Sequence, residues 1–191
     1  MPAFSGMTQT KSIRVSSDFN HKAASVCMDP VLPPALALLL LLMVANGAPI
    51  LAQRLLGRRL DWPLDGGLVL SDQQRLLGRS KTVRGVVSAL LLTPVAALVL
   101  GEPAWLGGLL ALGAMVGDAL SSFVKRRLGR PASSQALGLD QIPEALLPLL
   151  LVREHLQLDA LTITLLVVAF LVLELLLSKL LYRLRIRKRP Y

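Results

Sequence analysis

The sequence predicts an all-α, polytopic membrane helix bundle of about five transmembrane helices, and three observations predict it. Its 191 residues are 53% hydrophobic, with a mean hydropathy of +0.59. The apolar residues are gathered in blocks rather than dispersed as in a soluble domain of this size. Basic residues concentrate between those blocks and beyond the last one, the pattern of loops on one side of a membrane.

The elements follow in chain order. Residues 1–29 are polar, carry Lys11, Arg14 and Lys22, lack apolar periodicity and read as a disordered tail. A signal peptide fits poorly, because the apolar run begins only at Val31 and Asn46-Gly47-Ala48-Pro49 is a poor cleavage site. Met28 is an alternative start that would open the first helix directly. The first span is expected over residues 33–52, interrupted near its end by Asn46, Gly47 and Pro49. The second covers 85–100 with Pro94, which membrane helices tolerate. The third covers 104–124. The fourth, 142–156, is weak: it is short, contains Pro148 and ends in Arg153-Glu154-His155. The fifth, 160–182, is the clearest, since about 20 mostly apolar residues cross a bilayer. Residues 30–182 therefore read as one integral membrane domain and 183–191 as a basic C-terminal tail.

Charge sets the orientation. The formal net charge is +9 and the isoelectric point about 10.6. Nucleic acid is not the expected partner, because only 4% of residues are aromatic and stacking platforms are scarce. Most of the 21 basic residues lie in segments 53–84, 125–141 and 179–189. Five spans put all three segments on one side, which the positive-inside rule makes cytoplasmic, in a protein integral to the cell membrane. The single Cys27 excludes an internal disulfide, and His21 and His155 do not make a zinc site.

The chemistry-bearing residues cluster at that side. Asp118 sits deep in an apolar run, where a carboxylate costs roughly 2.5–3.5 kcal/mol on insertion scales and is a functional hypothesis by default. In a helix Asp118, Ser121, Ser122 and Lys125 share one face. A salt bridge to Lys125 is the competing, purely structural reading. Glu174 in the fifth span is a second intramembrane acid, close enough to Lys179 to reach toward the interface, and ranks below Asp118. Gly113 and Gly117 form a small-xxx-small pattern that permits close helix approach, within one chain or between chains. In the loop before the second span, Lys81 and Arg84 suit a phosphate clamp, although Gly78-Arg79-Ser80-Lys81-Thr82 is not a P-loop. The loop reads equally well as an ordinary positive-inside loop. Asp65 and Asp72 alone read as solvated surface acids. Asp140 before the fourth span is either a second rim carboxylate or a helix N-cap.

Together these residues resemble a known family. Ala45-Asn46-Gly47-Ala48-Pro49, the stretch Asp65…Gly78-x-x-Lys81-Thr82-x-Arg84-Gly85, Gly117-Asp118-x-x-x-Ser122-Phe123-x-Lys125-Arg126-Arg127-x-Gly129 and Leu139-Asp140-Gln141 occur in the order seen in CDP-archaeol synthases. These are membrane CTP:lipid-phosphate cytidylyltransferases, and the Asp118 and Lys125-Arg126 pattern is also similar to phosphatidate cytidylyltransferases. Three positions depart from the pattern: Gln73 stands at a usual glycine, Val83 at a usual tryptophan, and Pro143 at a second aspartate, with Glu144 next to it as a substitute.

The resemblance implies an enzyme that transfers a cytidylyl group from CTP to a membrane lipid phosphate and releases pyrophosphate. It implies Mg2+, held by Asp118 and Asp140, and catalytic phosphate-binding cations Lys81, Arg84, Lys125 and Arg126. Asn46, Asp65, Asp72, Thr82, Ser122 and Arg127 are implied substrate-binding or supporting residues. CTP, a lipid phosphate and the bilayer are the implied partners. The alternatives are a non-enzymatic membrane scaffold or small transporter with Asp118 as a structural or ion-binding charge, and an acyltransferase-like enzyme. The latter needs a His/Asp pair on one side, which the sequence lacks.

Overall fold

The computed structural model describes residues 32–57, 59–130 and 138–183. The tail at 1–29, with His21, Cys27 and Met28, and residues 184–191 of the basic tail lie outside the described residues. Among those described, the chain forms five α-helices: α1 (Pro34–Leu56), α2 (Val83–Val99), α3 (Ala104–Arg127), α4 (Gln141–Leu156) and α5 (Ala160–Arg183). They alternate in direction, α3 packs on α1, α2 and α4, and α5 lies against α4 and α1. The α1–α2 and α3–α4 connections and the C-terminal end of α5 therefore share one end of the bundle.

Among the described residues, three helices are long and apolar enough to cross a bilayer: α1, α3 and residues Ala160–Leu180 of α5. At 1.5 Å per residue, α2 and α4 are about 25 Å long, less than the roughly 30 Å hydrocarbon core. The five expected spans thus resolve into three full-length helices and two short ones. Both short helices begin at the loop end, while α1 and α3 run on beyond that level. Irregular backbone at such depth is tolerated where it lines a polar cavity.

The expected interruption of the first span does not occur. Helix α1 continues through Asn46, Gly47 and Pro49 to Leu56. The Asn46 side chain satisfies the helix from outside, its Nδ2 donating to the Leu42 carbonyl at 3.0 Å. The Pro49 ring is absorbed by close packing against Gly85 of α2, where a Cβ would lie 3.3 Å from the ring.

The apolar core lies away from the loops. Leu38, Leu41 and Leu42 of α1 meet Leu106 and Leu110 of α3, Leu149 and Val152 of α4, and Phe170 of α5. Nearer the loops the packing residues shrink to Ala45, Ala48, Ala89, Ala111 and Ala114, joined by Met115. Gly113 and Gly117 lie against α4 of the same chain. A Cβ at Gly113 would come within 2.5 Å of the Pro148 Cα, and one at Gly117 within 2.5 Å of the Pro143 carbonyl carbon, so the small-xxx-small stripe is an intrachain seam.

Candidate active site

The loop joining α1 to α2 is folded by charges that the sequence reading assigned to substrate. Asp65 is only 5% exposed. Its Oδ1 accepts from the Gly67 amide at 3.0 Å, and its Oδ2 from the amides of Leu77 and Gly78 at 3.1 Å each. Burial pushes its carboxyl up, but those three amides and the Arg75 charge outweigh burial and hold it below the usual carboxylate range. Asp65 is thus the knot of the loop rather than a solvated surface acid. Its grip requires Gly78 at φ +95, a conformation that favours glycine.

Arg84, in the first turn of α2, faces back into the same loop. Its Nη1 donates to the carbonyls of Gly57 at 2.8 Å and Arg59 at 2.7 Å, and its Nη2 to Asp61 at 3.0 Å. Thr82 caps α2, its hydroxyl accepting from the Gly85 amide. The basic run at the end of α3 also holds loops. Lys125 pairs with Asp140 at 2.6 Å. Arg127 pairs with Asp72 at 2.8 Å, donates to the Arg75 carbonyl at 3.0 Å and lies over the Phe123 ring. Arg126 is buried beside Gly78. Asp140 stands at the start of α4 without capping it through its side chain.

These ties leave a polar cleft of about 440 Å³ between the loop and the helix ends. Asn46, Arg79, Ser80, Lys81, Thr82 and Arg84 line one side, and Asp118, Glu144 and Glu174 the other. Lys81 is ion-paired to Asp118 across the cleft. Asp118 stands with the buried Glu144 carboxyl of α4 in the same cleft lining. The Gly117–Pro143 contact brings α3 and α4 close together there.

Of the residues proposed from sequence, Asn46, Lys81, Thr82, Arg84 and Asp118 line the cleft. Asp65, Asp72, Ser122, Lys125, Arg126, Arg127 and Asp140 stand outside its lining. The shared face of α3 divides: Asp118 turns to Lys81, whereas Lys125 turns to Asp140. Glu144, expected only as a substitute for the second aspartate at Pro143, and Glu174, given no role in the site, also line the cleft, as do the unassigned Arg79 and Ser80. The first two carried a legible signal, an acid inside an apolar helix. Among the described residues no three of His, Cys, Asp and Glu are gathered as a metal cage. Gln73, at the position of a usual glycine, adopts φ +57, the conformation a glycine would take.

Fold and cleft together define an integral membrane protein of the intramembrane-site class: a small helical bundle with a charged cleft recessed at one end. A sequence model of the CarS-like CDP-archaeol synthases matches residues 98–191. A CDP-archaeol synthase of Methanopyrus kandleri is 47% identical over 87 residues, 42% of this chain and 50% of that protein. One of Pyrobaculum calidifontis is 38% identical over 153 residues, 78% of this chain and 91% of that protein. The chain thus covers about half of the first of these relatives and nearly all of the second. A solved structure of an intramembrane enzyme for archaeal membrane lipid biosynthesis superimposes with a TM-score of 0.65 at 34% identity, covering 75% of this chain and 92% of that one. The chain belongs to the CDP-archaeol synthase family.

Proposed function

We propose that this protein transfers a cytidylyl group from CTP to a membrane lipid phosphate, giving a CDP-lipid and pyrophosphate, with the loop end of the bundle facing the cytoplasm. The observation that carries the reading is the Lys81–Asp118–Glu144 cluster lining a cleft recessed at the end of a membrane bundle. In this reaction a lipid-phosphate oxygen attacks the α-phosphorus of CTP while the bond to the β-phosphate oxygen breaks. The phosphate is already a nucleophile, so no general base is needed. What remains for the protein is to align two anions and to neutralise developing charge.

The residues present fit Mg2+. That ion takes one or two carboxylates and completes its shell with water and substrate phosphate. Asp118 and Glu144, neighbours in the cleft lining, are the pair suited to it, rather than Asp118 and Asp140, because Asp140 stands outside that lining. Bound there, the ion would act as a Lewis acid toward the transferring phosphoryl group. Lys81 supplies the mobile cation, since its ammonium is a point charge that can pass from Asp118 to phosphate. Arg84 acts differently: with its guanidinium committed to Gly57, Arg59 and Asp61, it positions the loop that bears Lys81. Arg127 helps hold that same loop through Asp72 and the Arg75 carbonyl, and Lys125 holds the start of α4 through Asp140.

Incubating the purified, reconstituted protein with labelled CTP, magnesium and a panel of lipid phosphates tests the proposal. Label is expected in a solvent-extractable lipid with equimolar pyrophosphate. Absence of lipid-dependent incorporation across ether- and ester-linked, isoprenoid and acyl substrates would overturn it and leave Lys81–Asp118 a structural charge pair.

A further inference from the structure

We propose that the loop between α1 and α2 is a membrane-interface anchor, its apolar side chains seated in the headgroup–acyl boundary of the bilayer that holds the bundle. The loop is held rigidly by Asp65, Arg84 and Arg127, yet it turns large apolar groups outward. Trp62 is 67% exposed, Leu68 63% and Val69 56%, with Leu60 also exposed. Leu60 holds φ +56, a backbone cost that an L-residue at an indifferent surface position would not be expected to retain.

The position of Trp62 identifies what covers it. The Val83 amide donates to the Trp62 carbonyl at 3.0 Å, so the tryptophan lies beside the first residue of α2. On α2 the exposed residues Val83, Val87, Leu91 and Val95 recur every fourth position and form its outward stripe. In a membrane bundle that stripe faces lipid. Trp62 continues it past the helix start, at the depth where tryptophan is enriched in membrane proteins. The neighbouring Arg59 is exposed and complements anionic headgroups. An exposed apolar patch of this kind marks an interaction surface, and its continuity with the lipid-facing stripe selects the bilayer over a protein partner. The inference stands independently of the catalytic reading, because its test needs no turnover.

The chain has two tryptophans, so Trp105→Phe leaves Trp62 as the sole reporter. The full-length variant is reconstituted in phosphatidylcholine–phosphatidylglycerol vesicles, with and without lipids brominated high on the acyl chain, and titrated with aqueous iodide. A blue-shifted emission, strong loss with bromolipid and weak loss with iodide are expected. Quenching by iodide without loss to bromolipid would put the loop in water and overturn the proposal. Protection from both quenchers would put it under protein, a second copy or another chain, and would overturn it equally. Should Trp105→Phe fail to fold, the difference between the unaltered protein and Trp62→Phe reads the same quantity.

Discussion

The two ends of this bundle are built on opposite principles. At one end, leucines and Phe170 from α1, α3, α4 and α5 interlock in a core with no charged member. At the other, helices meet through alanine and glycine, α2 and α4 stop short, and three carboxylates share a cleft with Lys81. Both ends are close-packed, but the first fills its volume with side chains while the second brings backbones together and leaves a polar space. The first end holds the bundle together; the second uses that rigidity to keep three carboxyl groups and Lys81 around one cleft.

The contrast predicts which variants lose activity and which lose stability. Asp118→Asn has the largest expected effect. CTP-dependent lipid labelling should fall by about 100- to 1,000-fold, the scale of losing one preorganised charged group, while the protein still inserts and folds. Near-normal turnover in the purified variant would refute this assignment. Leu149→Ala is the counterpart at the apolar end. It should cost about 3 kcal/mol in detergent unfolding through the cavity it leaves, with activity per folded molecule unchanged. Gly117→Leu should break the separation between the ends. A side chain there meets the Pro143 carbonyl, so stability should fall by about 2 kcal/mol and activity with it, because α4 carries Glu144 away from Asp118.

The smallest effect belongs to the loop. Asp65→Asn replaces one acceptor of three amides by a donor and should cost about 1–2 kcal/mol of local stability, read as faster amide exchange over 64–81. The sign with pH follows from the lowered Asp65 carboxyl. Its contribution is present above the unfolded-state value and is lost as pH falls through the lower folded-state value. The unaltered loop should therefore loosen in acid, and Asp65→Asn should remove that dependence. A loop whose exchange is independent of acid in both proteins would sink this assignment.

Much of this was legible from one chain. Blocks of apolar residues located five helices to within a few residues, because hydropathy and helical length are local properties. Asp118 was legible because an acid in an apolar helix is costly, and Glu144 and Glu174 carried the same signal. What stayed hidden is which cation meets which anion. Lys81 reaches Asp118 across 37 positions, while Lys125, on the face of Asp118, goes to Asp140 instead. Sequence spacing ranks partners on one helix but says nothing of a loop folded over it. Arg84 and Arg127 illustrate the same gap: arginine's forked donors suit backbone carbonyls as well as phosphate, and only the loop's path decides between them.

The short helices have an electrostatic consequence. Because α2 starts at Val83 and α4 at Gln141, both amino ends are directed at the cleft end of the bundle. Each helix macrodipole places roughly half a positive charge at its amino end. First-turn residues of α2 and α4 line the cleft, whereas α1 and α3 run on past it, so those two helix starts make a local positive contribution that no side-chain inventory counts. It favours negative charge in the cleft, and it does not titrate.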